Sequence, residues 1–497
     1  MFKELRVGNF KGFAGTHSVE LGKINLFYGA NSAGKSALLE ALLLMKQSLR
    51  RSSITQEQGM EPLLFNGTHV DLGSFQATVN GHNVSKKMLL GGSYEVKNSR
   101  NSEESAFDTQ HFDVEVAWDH ETKSQVLESC TYRVDIAPEN TITFRRLKGK
   151  SGETAIRPVD LLGFENVSIA VRDLTARRLP ATEDVNILET KRIMLDAMYE
   201  NWSFLPMMPN IDPKPLESSK GLKLENLHSV DEKIKKLESE IALKEQSIKQ
   251  LVEEMTTFTW RNLLLDRFRD TSISISGIRY LGPLRKSPTR IERLIEKSKV
   301  YVGREGEGVA SILHRDPTAV NTVNRYLREL SIPYELHVRK LDPDGAGTLG
   351  EIIAVQLVDL RSNVILSLED VGFGISQVLP LLVQLAISRS DLVLIEQPEL
   401  HLHPAIQAHF ADLLIEGSTT EKNNQFIIET HSEHLLLRLQ RRIRDGILSE
   451  KDVKIYFVDA KSEMGSYVQL IELDNHGEFI TPWPNGFFPE RLDELLG

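Results

Sequence analysis

The chain has 497 residues, 40% hydrophobic and 26% charged, which is the composition of a globular protein large enough for two or three lobes. Its single cysteine, Cys130, excludes a disulfide framework and fits a reducing compartment, and it contains no run of about 18 uncharged apolar residues that would predict a membrane span. The net charge of −11 means that DNA contact would need a local basic surface, and because the N-terminus lacks a signal-peptide pattern we expect a cytoplasmic protein without a membrane partner.

The first elements are predicted to be short strands, including the apolar run from Ile24 to Tyr28. A glycine-rich turn follows, and then a helix from Ser36 to about Leu49. Between about Ser85 and Arg178 the segments FDVEVAW, TYRVDIA, TITFRRL and VSIAVRDL alternate apolar and polar residues, which predicts an antiparallel β insertion. The proline-rich stretch from Asn201 to Pro215 marks a boundary.

A long helix is predicted next, because apolar residues recur at heptad spacing from Val230 to Met255. It is either a short coiled-coil arm or an amphipathic helix lying on the core. Farther on, helices and strands alternate: helix 376–389, strand 392–396, helix 405–414, strand 425–430 and helix 433–444. This alternation predicts an α/β core with a mostly parallel sheet.

A phosphate-binding loop is the most specific motif in the chain. Gly29 to Ser36 reads GANSAGKS and matches GxxxxGK[ST], between an apolar strand and a helix. We expect the loop to cradle the phosphates of ATP through its backbone N–H groups, with Lys35 between the β- and γ-phosphates and Ser36 on Mg²⁺. The predicted nucleotide-binding residues of the loop are Asn31, Ser32, Ala33, Gly34, Lys35 and Ser36.

A second nucleotide motif lies in LVLIEQPELHLHP, from Leu392 to Pro404. Its buried strand ends in a carboxylate, and carboxylates at that end of a parallel strand face the crevice where α/β sheets bind ligands. Glu396 is therefore the predicted Walker B carboxylate on the Mg²⁺ side. Some 360 residues separate it from the loop, so a large insertion divides the two halves of the site.

This divided arrangement resembles the SMC-like and RecF-like ATPases of ABC type, and among them the overcoming-lysogenisation-defect (OLD) proteins. The resemblance depends on five segments: NFKGF at 9–13, the phosphate-binding loop, DVGFGISQVLPLL at 370–382, IEQPELHLHP at 395–404 and ETHSEHLL at 429–436. It implies an α/β, ABC-type P-loop ATPase split into two lobes, with a β insertion and a short helical or coiled-coil insertion.

The domain boundaries expected from this resemblance and from composition divide the chain into five parts. They are a first ATPase part at 1–84, a β-rich insertion at 85–180, a helical or coiled-coil insertion at 181–270, a second ATPase part at 271–450 and a small C-terminal domain at 451–497. That last part looks like a domain of unknown function found on some bacterial ATPases. Its aromatic cluster WPNGFF at 483–488 either caps an edge of the ATPase fold or docks a partner.

The resemblance also assigns further site residues. Gly372, Gly374 and Ser376 correspond to an ABC signature motif, whose helix N-terminus binds the γ-phosphate held by the opposite subunit. His431 corresponds to the histidine that contacts the γ-phosphate and senses its loss. Gln76 is a candidate for the glutamine that links Mg²⁺ to the insertion.

The segment Asn9 to Phe13 is expected to flank the nucleotide, as the matching segment does in relatives. His401 and His403 are better interpreted as part of the loop after Walker B than as metal ligands, because no other ligand set converges on them.

One departure from the family pattern concerns catalysis. ABC ATPases usually place Asp-Glu where this chain has Glu396 and Gln397, and a glutamine cannot accept a proton from the attacking water. Glu399 is the candidate replacement carboxylate. The predicted catalytic set is Glu396, Gln397, Glu399 and His431, with slow hydrolysis expected.

Two functions remain open at this stage. The first is a nucleotide-dependent sensor or scaffold that forms a homodimer or larger homo-oligomer through composite ATP sites and controls a separately encoded nuclease or toxin, by analogy in antiphage defence. Since no DxD pattern follows His431, we expect no nuclease within the chain. The alternative is an SMC- or RecF-like repair ATPase that clamps DNA through basic clusters at 145–150 and 438–444.

Overall fold

The computed structural model describes residues 1–49, 62–97, 107–134, 137–148, 154–160, 271, 274–294, 301–341, 351–419, 421–461 and 465–484. The chain divides into two compact units, one formed by Met1–Asp160 with Phe268–Gly497 and one by Leu161–Arg267. Every described residue belongs to the first unit. The predicted heptad helix and the segment VSIAVRDL lie outside the described residues.

The strands of the first half of the chain are β1 (Phe2–Phe10), β2 (Phe13–Glu20), β3 (Ile24–Tyr28), β4 (Met88–Lys97), β5 (Phe107–Asp119), β6 (Ser124–Val134), β7 (Ala137–Lys148) and β8 (Thr154–Asp160). Those of the second half are β9 (Ile278–Leu281), β10 (Glu292–Arg293), β11 (Tyr334–Leu341), β12 (Ile352–Asp359), β13 (Val364–Ser367), β14 (Leu392–Glu396), β15 (Gln425–Glu429), β16 (Val453–Lys461) and β17 (Gly465–Ile471).

The described helices are α1 (Lys35–Leu49), α2 (Phe75–Thr78), α3 (Val309–Arg315), α4 (Pro317–Glu329), α5 (Phe373–Ile387), α6 (Pro404–Ser418) and α7 (Glu433–Arg444). Short 3₁₀ turns cover Asn80–His82 and Glu450–Asp452. Helix α5 begins three residues before the predicted start, whereas α7 has the predicted bounds. None of the helices in the described part of the chain is long and apolar enough to cross a membrane.

Thirteen of the described strands form one sheet in the order β8-β7-β6-β5-β4-β1-β2-β17-β16-β3-β15-β14-β9. From β16 to β9 neighbouring strands run parallel, and from β8 to β2 they run antiparallel. The three central parallel strands, β3, β14 and β15, are buried along their whole length because both sheet faces are covered. The predicted α/β fold is confirmed, and the mostly parallel arrangement expected for its core holds for the five strands from β16 to β9 but not for the rest of the described sheet.

The strands of the predicted β insertion are continuous with this sheet. FDVEVAW lies in β5 and TITFRRL in β7, and β4 to β8 pair antiparallel with their neighbours. Strand β4 also pairs with β1, from Phe2 opposite Tyr94 to Gly8 opposite Leu89. These strands therefore extend the sheet that begins at the N-terminus.

The C-terminal strands lie inside the sheet. Strand β16 pairs parallel with β3, with Val453 opposite Ile24 and Phe457 opposite Tyr28. Strand β17 is antiparallel to β16 and reaches β2 through Gly465. The Trp483 ring then packs 5.3 Å from the ring of Tyr28, measured between centroids. The C-terminal segment thus connects the parallel and antiparallel parts of the sheet.

A second, antiparallel sheet has the order β10-β12-β11, with β13 paired to β12. Its inner face, the helices α3 to α7 and the parallel strands contribute to one hydrophobic core. Helices α4 and α7 begin with a side-chain cap: Asp316 accepts hydrogen bonds from the backbone of α4, and Ser432 accepts one from Leu435 at the start of α7. This core fixes the edge where β3, β14 and β15 all end.

Candidate nucleotide site

The predicted phosphate-binding loop lies between β3 and α1, at the carboxyl end of the parallel strands. Gly29 has a φ of 136°, and a Cβ there would lie 1.9 Å from the Val458 carbonyl oxygen on β16. Gly34 has a φ of 115° and Ser32 a φ of 62°. At position 29 only glycine can adopt this φ and approach the Val458 carbonyl so closely. The loop conformation therefore depends on its glycine and on its packing against β16.

Lys35 and Ser36 begin α1 and contact the loop and the end of β15. Lys35 Nζ donates to the carbonyl oxygens of Gly29 at 3.0 Å and Ala30 at 2.9 Å. It also lies 3.9 Å from Glu429 Oε1. Ser36 Oγ donates to Glu429 Oε2 at 2.6 Å. Burial lowers the pKa of Lys35, and the charge of Glu429 opposes that shift.

Glu429 is a site residue that the sequence analysis missed. It is the last residue of β15, and its Cα is in register with both Glu396 on β14 and Phe27 on β3. It is only 6% exposed. The signal that identified Glu396, a carboxylate ending a buried apolar strand, is also present in QFIIE. Applied to both strands, it would have predicted a pair of carboxylates next to Ser36.

Glu396 lies at the predicted tip of β14 but contacts a different side chain from Glu429. Its Oε1 accepts a hydrogen bond of 2.8 Å from the hydroxyl of Tyr280 on β9, a second residue that the sequence analysis missed. Burial raises the pKa of Glu396 to about 7; the Tyr280 hydrogen bond opposes this shift and the charge of Glu429 adds to it. Gln397 follows with a φ of 45°, and its backbone N–H donates to the Glu429 carbonyl oxygen at 2.7 Å.

The structure brings Glu399 and His431 together at the same edge. Glu399 accepts from the Thr430 hydroxyl and from the backbone N–H of His431, both at 2.7 Å. Burial lowers the pKa of the His431 imidazole, with a further contribution from Lys35. The ring therefore favours its neutral form, and the loop lysine and this histidine are close enough to interact electrostatically.

The predicted signature residues lie at the start of α5. Gly372 is exposed and occupies the N-cap, whereas Ser376 is buried. A Cβ at Gly374 would lie 2.6 Å from the His401 carbonyl oxygen, so α5 starts in close contact with the turn that follows β14. The start of α5 and the turn after β14 are thus neighbours within one chain.

Other predicted residues have local structural contacts. Gln76 is exposed on α2, and its carbonyl oxygen lies 3.0 Å from His82 Nδ1. Asn9 accepts from Gly15 N–H across the β1–β2 turn and donates to the carbonyl oxygen of Lys87, just before β4. His403 Nδ1 accepts from Ala405 N at 3.2 Å and caps α6. The Mg²⁺ role of Gln76 and the nucleotide-flanking role of the N-terminal segment stay predictions.

The oxygen donors near the loop suit Mg²⁺. Within the described residues, no group of three or more His, Cys, Asp and Glu side chains is arranged to hold a metal ion. Magnesium, however, usually takes only one or two protein carboxylates and completes its shell with phosphates and water. The Ser36 hydroxyl with the carboxylates of Glu429 and Glu396 provides such a set.

The basic residues of α7, considered above for DNA contact, have acidic partners. Arg438 and Arg442 both bind Asp412 at 2.7 Å, and Arg444 lies 2.6 Å from Glu478. The side chains of the second basic cluster, at 145–150, are outside the described residues. On α7 the positive charges are therefore largely compensated within the chain.

Comparison with known proteins agrees with this geometry. The family described as "AAA ATPase domain" matches residues 1–436, and a family described as a protein of unknown function, DUF3696, matches 448–496. No curated protein matches.

Similar solved structures include heads of SMC proteins. One is an SMC head bound to the C-terminal winged-helix domain of ScpA, with 13% identity and a TM-score of 0.40, covering 95% of this chain and 98% of that one. Another, from Thermotoga maritima, has 11% identity and a TM-score of 0.38, covering 95% and 99%. Since the first family model spans most of the sequence, the chain belongs to the AAA ATPase domain family.

Proposed function

We propose that this protein binds and slowly hydrolyses Mg²⁺-ATP, and that nucleotide drives the association of two copies which then control a separate effector protein. The observation that carries the proposal is the convergence at one sheet edge of the phosphate-binding loop, Glu429, Glu396, Glu399 and His431. These groups come from parts of the sequence nearly 400 residues apart. A merely structural turn would not need a lysine, a hydroxyl, three carboxylates and an imidazole together.

The residues at the start of α1 would bind the phosphates. Lys35 Nζ would exchange the carbonyl oxygens of Gly29 and Ala30 for β- and γ-phosphate oxygens. The Ser36 hydroxyl and Glu429 would hold Mg²⁺ together with Glu396 once Glu396 has lost its proton. Bound Mg²⁺ supplies charge neutralisation of the phosphates.

Hydrolysis would depend on Glu399, because Gln397 can only orient a water by hydrogen bonding. The Glu399 carboxylate is held by Thr430 and by the backbone of His431, both beside the loop. A neutral His431 can donate one hydrogen bond to a γ-phosphate oxygen without adding a charge. Because the Glu399 carboxylate already accepts these two structural hydrogen bonds, it would be a weak base, which agrees with slow turnover.

Self-association is supported by the start of α5. The exposed Gly372 and the following helix N-terminus can approach a phosphate of a second copy, as backbone N–H groups at helix starts do. The composite site would then form a homodimer or a larger homo-oligomer. Control of a nuclease or toxin in antiphage defence, and a cytoplasmic location, extend this proposal by analogy.

The DNA-clamping alternative has weaker support from the described surface. All four arginines on α7 form ion pairs with carboxylates of the chain, which reduces the charge available for phosphates. If DNA bound with several phosphate contacts, log affinity would fall steeply with log salt concentration. A steep salt dependence with affinity persisting at physiological salt would favour the clamp over the effector-control function.

The proposal is tested by titrating a fluorescent ATP analogue with and without Mg²⁺ and by measuring molar mass in parallel. Lys35→Ala should weaken nucleotide binding by about 100-fold or more and abolish ATP-dependent association. Without Mg²⁺, Glu429→Gln should bind the analogue with an affinity within about threefold of the wild type. The increase in affinity that Mg²⁺ causes should be smaller than in the wild type by about tenfold or more.

The matched control is Lys340→Ala, which removes an exposed lysine on β11 that contacts Glu351. It should leave both titrations unchanged. If Lys35→Ala bound the analogue as the wild type does, the nucleotide site would be wrongly assigned.

A further inference from the structure

Arg285 is a buried cation beside the Walker B turn that neither the motifs nor the family comparison assigns. It follows β9 in the segment GIRYLGPLR and is 5% exposed. Its Nη2 donates to the Glu396 carbonyl oxygen at 3.0 Å. Its Nε and Nη1 are buried and have no hydrogen-bond acceptor within the described residues.

The backbone of Arg285 forms hydrogen bonds with α5. Its N–H donates to Gln377 Oε1 at 3.3 Å, and Gln377 Nε2 donates to the Arg285 carbonyl oxygen at 3.4 Å. Gln377 is 2% exposed and lies in the first turns of α5, next to Ser376. Arg285 therefore contacts the start of α5 with its main chain and the end of β14 with its side chain.

The guanidinium also faces the acidic side of the site. Burial lowers the pKa of Arg285 to about 10, while Glu399 and then Glu396 oppose that shift. It remains charged at neutral pH. Burying a cation with unused donors is costly, and an apolar side chain of similar volume often serves stability as well or better. The arrangement thus favours a role in the site over a role in packing alone.

A second, independent contact joins the same two elements. The Gly374 Cα lies so close to the His401 carbonyl oxygen that a Cβ would be 2.6 Å away from it. The start of α5 consequently contacts the turn after β14 through Gly374 and the last residue of β14 through Gln377 and Arg285. A shift of α5 would displace the turn that carries Glu399.

We propose that Arg285 is a positioning residue that couples the start of α5 to the Glu396–Glu399 turn, so that a nucleotide bound by a second copy at Gly372 aligns the carboxylates of this chain's own site. The inference rests on the proposed function, because it presumes ATP hydrolysis between two copies. It adds a specific route between the two nucleotide sites. The unused N–H groups of Arg285 are donors from which the Glu399 carboxylate can accept a hydrogen bond.

The test compares steady-state ATPase kinetics, ATP-analogue binding and the lifetime of the ATP-dependent dimer in full-length variants. Arg285→Met should lower kcat by about 30-fold while KM and the analogue's Kd stay within about twofold, and the dimer should persist longer. Arg285→Lys keeps the charge, and its kcat should be about tenfold higher than that of Arg285→Met. Arg293→Gln, an exposed arginine on β10, is the matched control and should behave as the wild type.

Gln377→Leu provides a second variant that leaves the guanidinium in place. It should lower kcat in the same direction, and the double variant with Arg285→Met should lose no more than the worse single variant. Additive losses would overturn the coupling. If Arg285→Met fails to fold, Gln377→Leu and Arg285→Lys decide by the same criteria.

The failure of this inference can be distinguished from failure of the proposed function. A wild-type protein that neither binds ATP nor associates with it would refute the proposed function. A wild-type protein that hydrolyses ATP while Arg285→Met turns over at the same rate would refute only the role of Arg285. Equal losses of kcat and of nucleotide affinity would show a structural role instead.

Discussion

Glu396 is a proposed site residue whose burial costs stability. It is 8% exposed, with its carboxyl bound to Tyr280, and burial raises its pKa from the ordinary 4.5 to about 7. The folded protein therefore holds a proton that the unfolded chain has released between these two pH values. Stability falls as pH rises through this window, by up to about 3 kcal/mol above pH 7.

Replacing this carboxyl should remove the pH dependence that it causes. In the absence of nucleotide, Glu396→Gln should match the wild type at pH 5 and be about 2–3 kcal/mol more stable at pH 8, because the amide carries no charge and still accepts from Tyr280. Urea denaturation at both values measures the difference. The exposed Glu472→Gln is the control and should change neither value.

An equal stability difference at pH 5 and pH 8 would contradict the raised pKa of Glu396.

The sequence identifies Glu396, Lys35 and Ser36, because a strand end and a glycine-rich loop are local signals. It does not identify Tyr280 or Arg285, since their roles arise from the pairing of β9 with β14, a contact between segments more than 100 residues apart.

At the scale of elements, the start of α5 is defined by how closely it approaches the turn after β14. Gly374 leaves no room for a methyl group beside the His401 carbonyl oxygen, whereas nothing lies within 4 Å of a Cβ built on Gly372. Gly372 also has a φ of −57°, which any residue adopts. The two glycines therefore differ in what they contribute to the isolated chain.

A matched pair of variants separates these contributions. Gly374→Ala should lower the free energy of unfolding by about 1–3 kcal/mol, because the added methyl meets backbone rather than a movable side chain. Gly372→Ala should stay within about 0.5 kcal/mol of the wild type. Chemical denaturation without nucleotide measures both. Equal effects of the two substitutions would contradict the described packing of α5 on the turn.

Most elements near the site follow from sequence periodicity. Strand β14 and helix α7 have the predicted bounds, because a five-residue apolar strand and a capped amphipathic helix are strong local patterns. The start of α5 differs by three residues because Phe373 and Gly374 carry no helix-start signal. The position of β16 beside β3 could not be predicted, since nothing local to DVKIYFV specifies its partner strand.

At the scale of the whole molecule, the C-terminal strands complete the sheet in which the nucleotide site is built. Strand β3, which carries the phosphate-binding loop, has β15 on one side and β16 on the other. Gly29 packs against Val458, and Tyr28 against Trp483. The loop is therefore supported on one side by residues that lie more than 420 positions away in sequence.

Removing those strands should unfold the ATPase core rather than release a smaller active enzyme. A chain truncated after Asp452 loses the buried side chains of Ile455, Val458 and Ile471 and exposes the hydrogen-bonding edge of β3. At about 1.5–3 kcal/mol for each buried side chain, plus the lost strand pairing, the loss is comparable with the whole stability of a typical domain. A chain truncated after Pro484 keeps β16, β17 and Trp483 and serves as the control. We expect cooperative thermal unfolding and ATP-analogue binding only in the longer chain. If the shorter chain also unfolded cooperatively and bound nucleotide normally, β3 would need no neighbouring strand on that side.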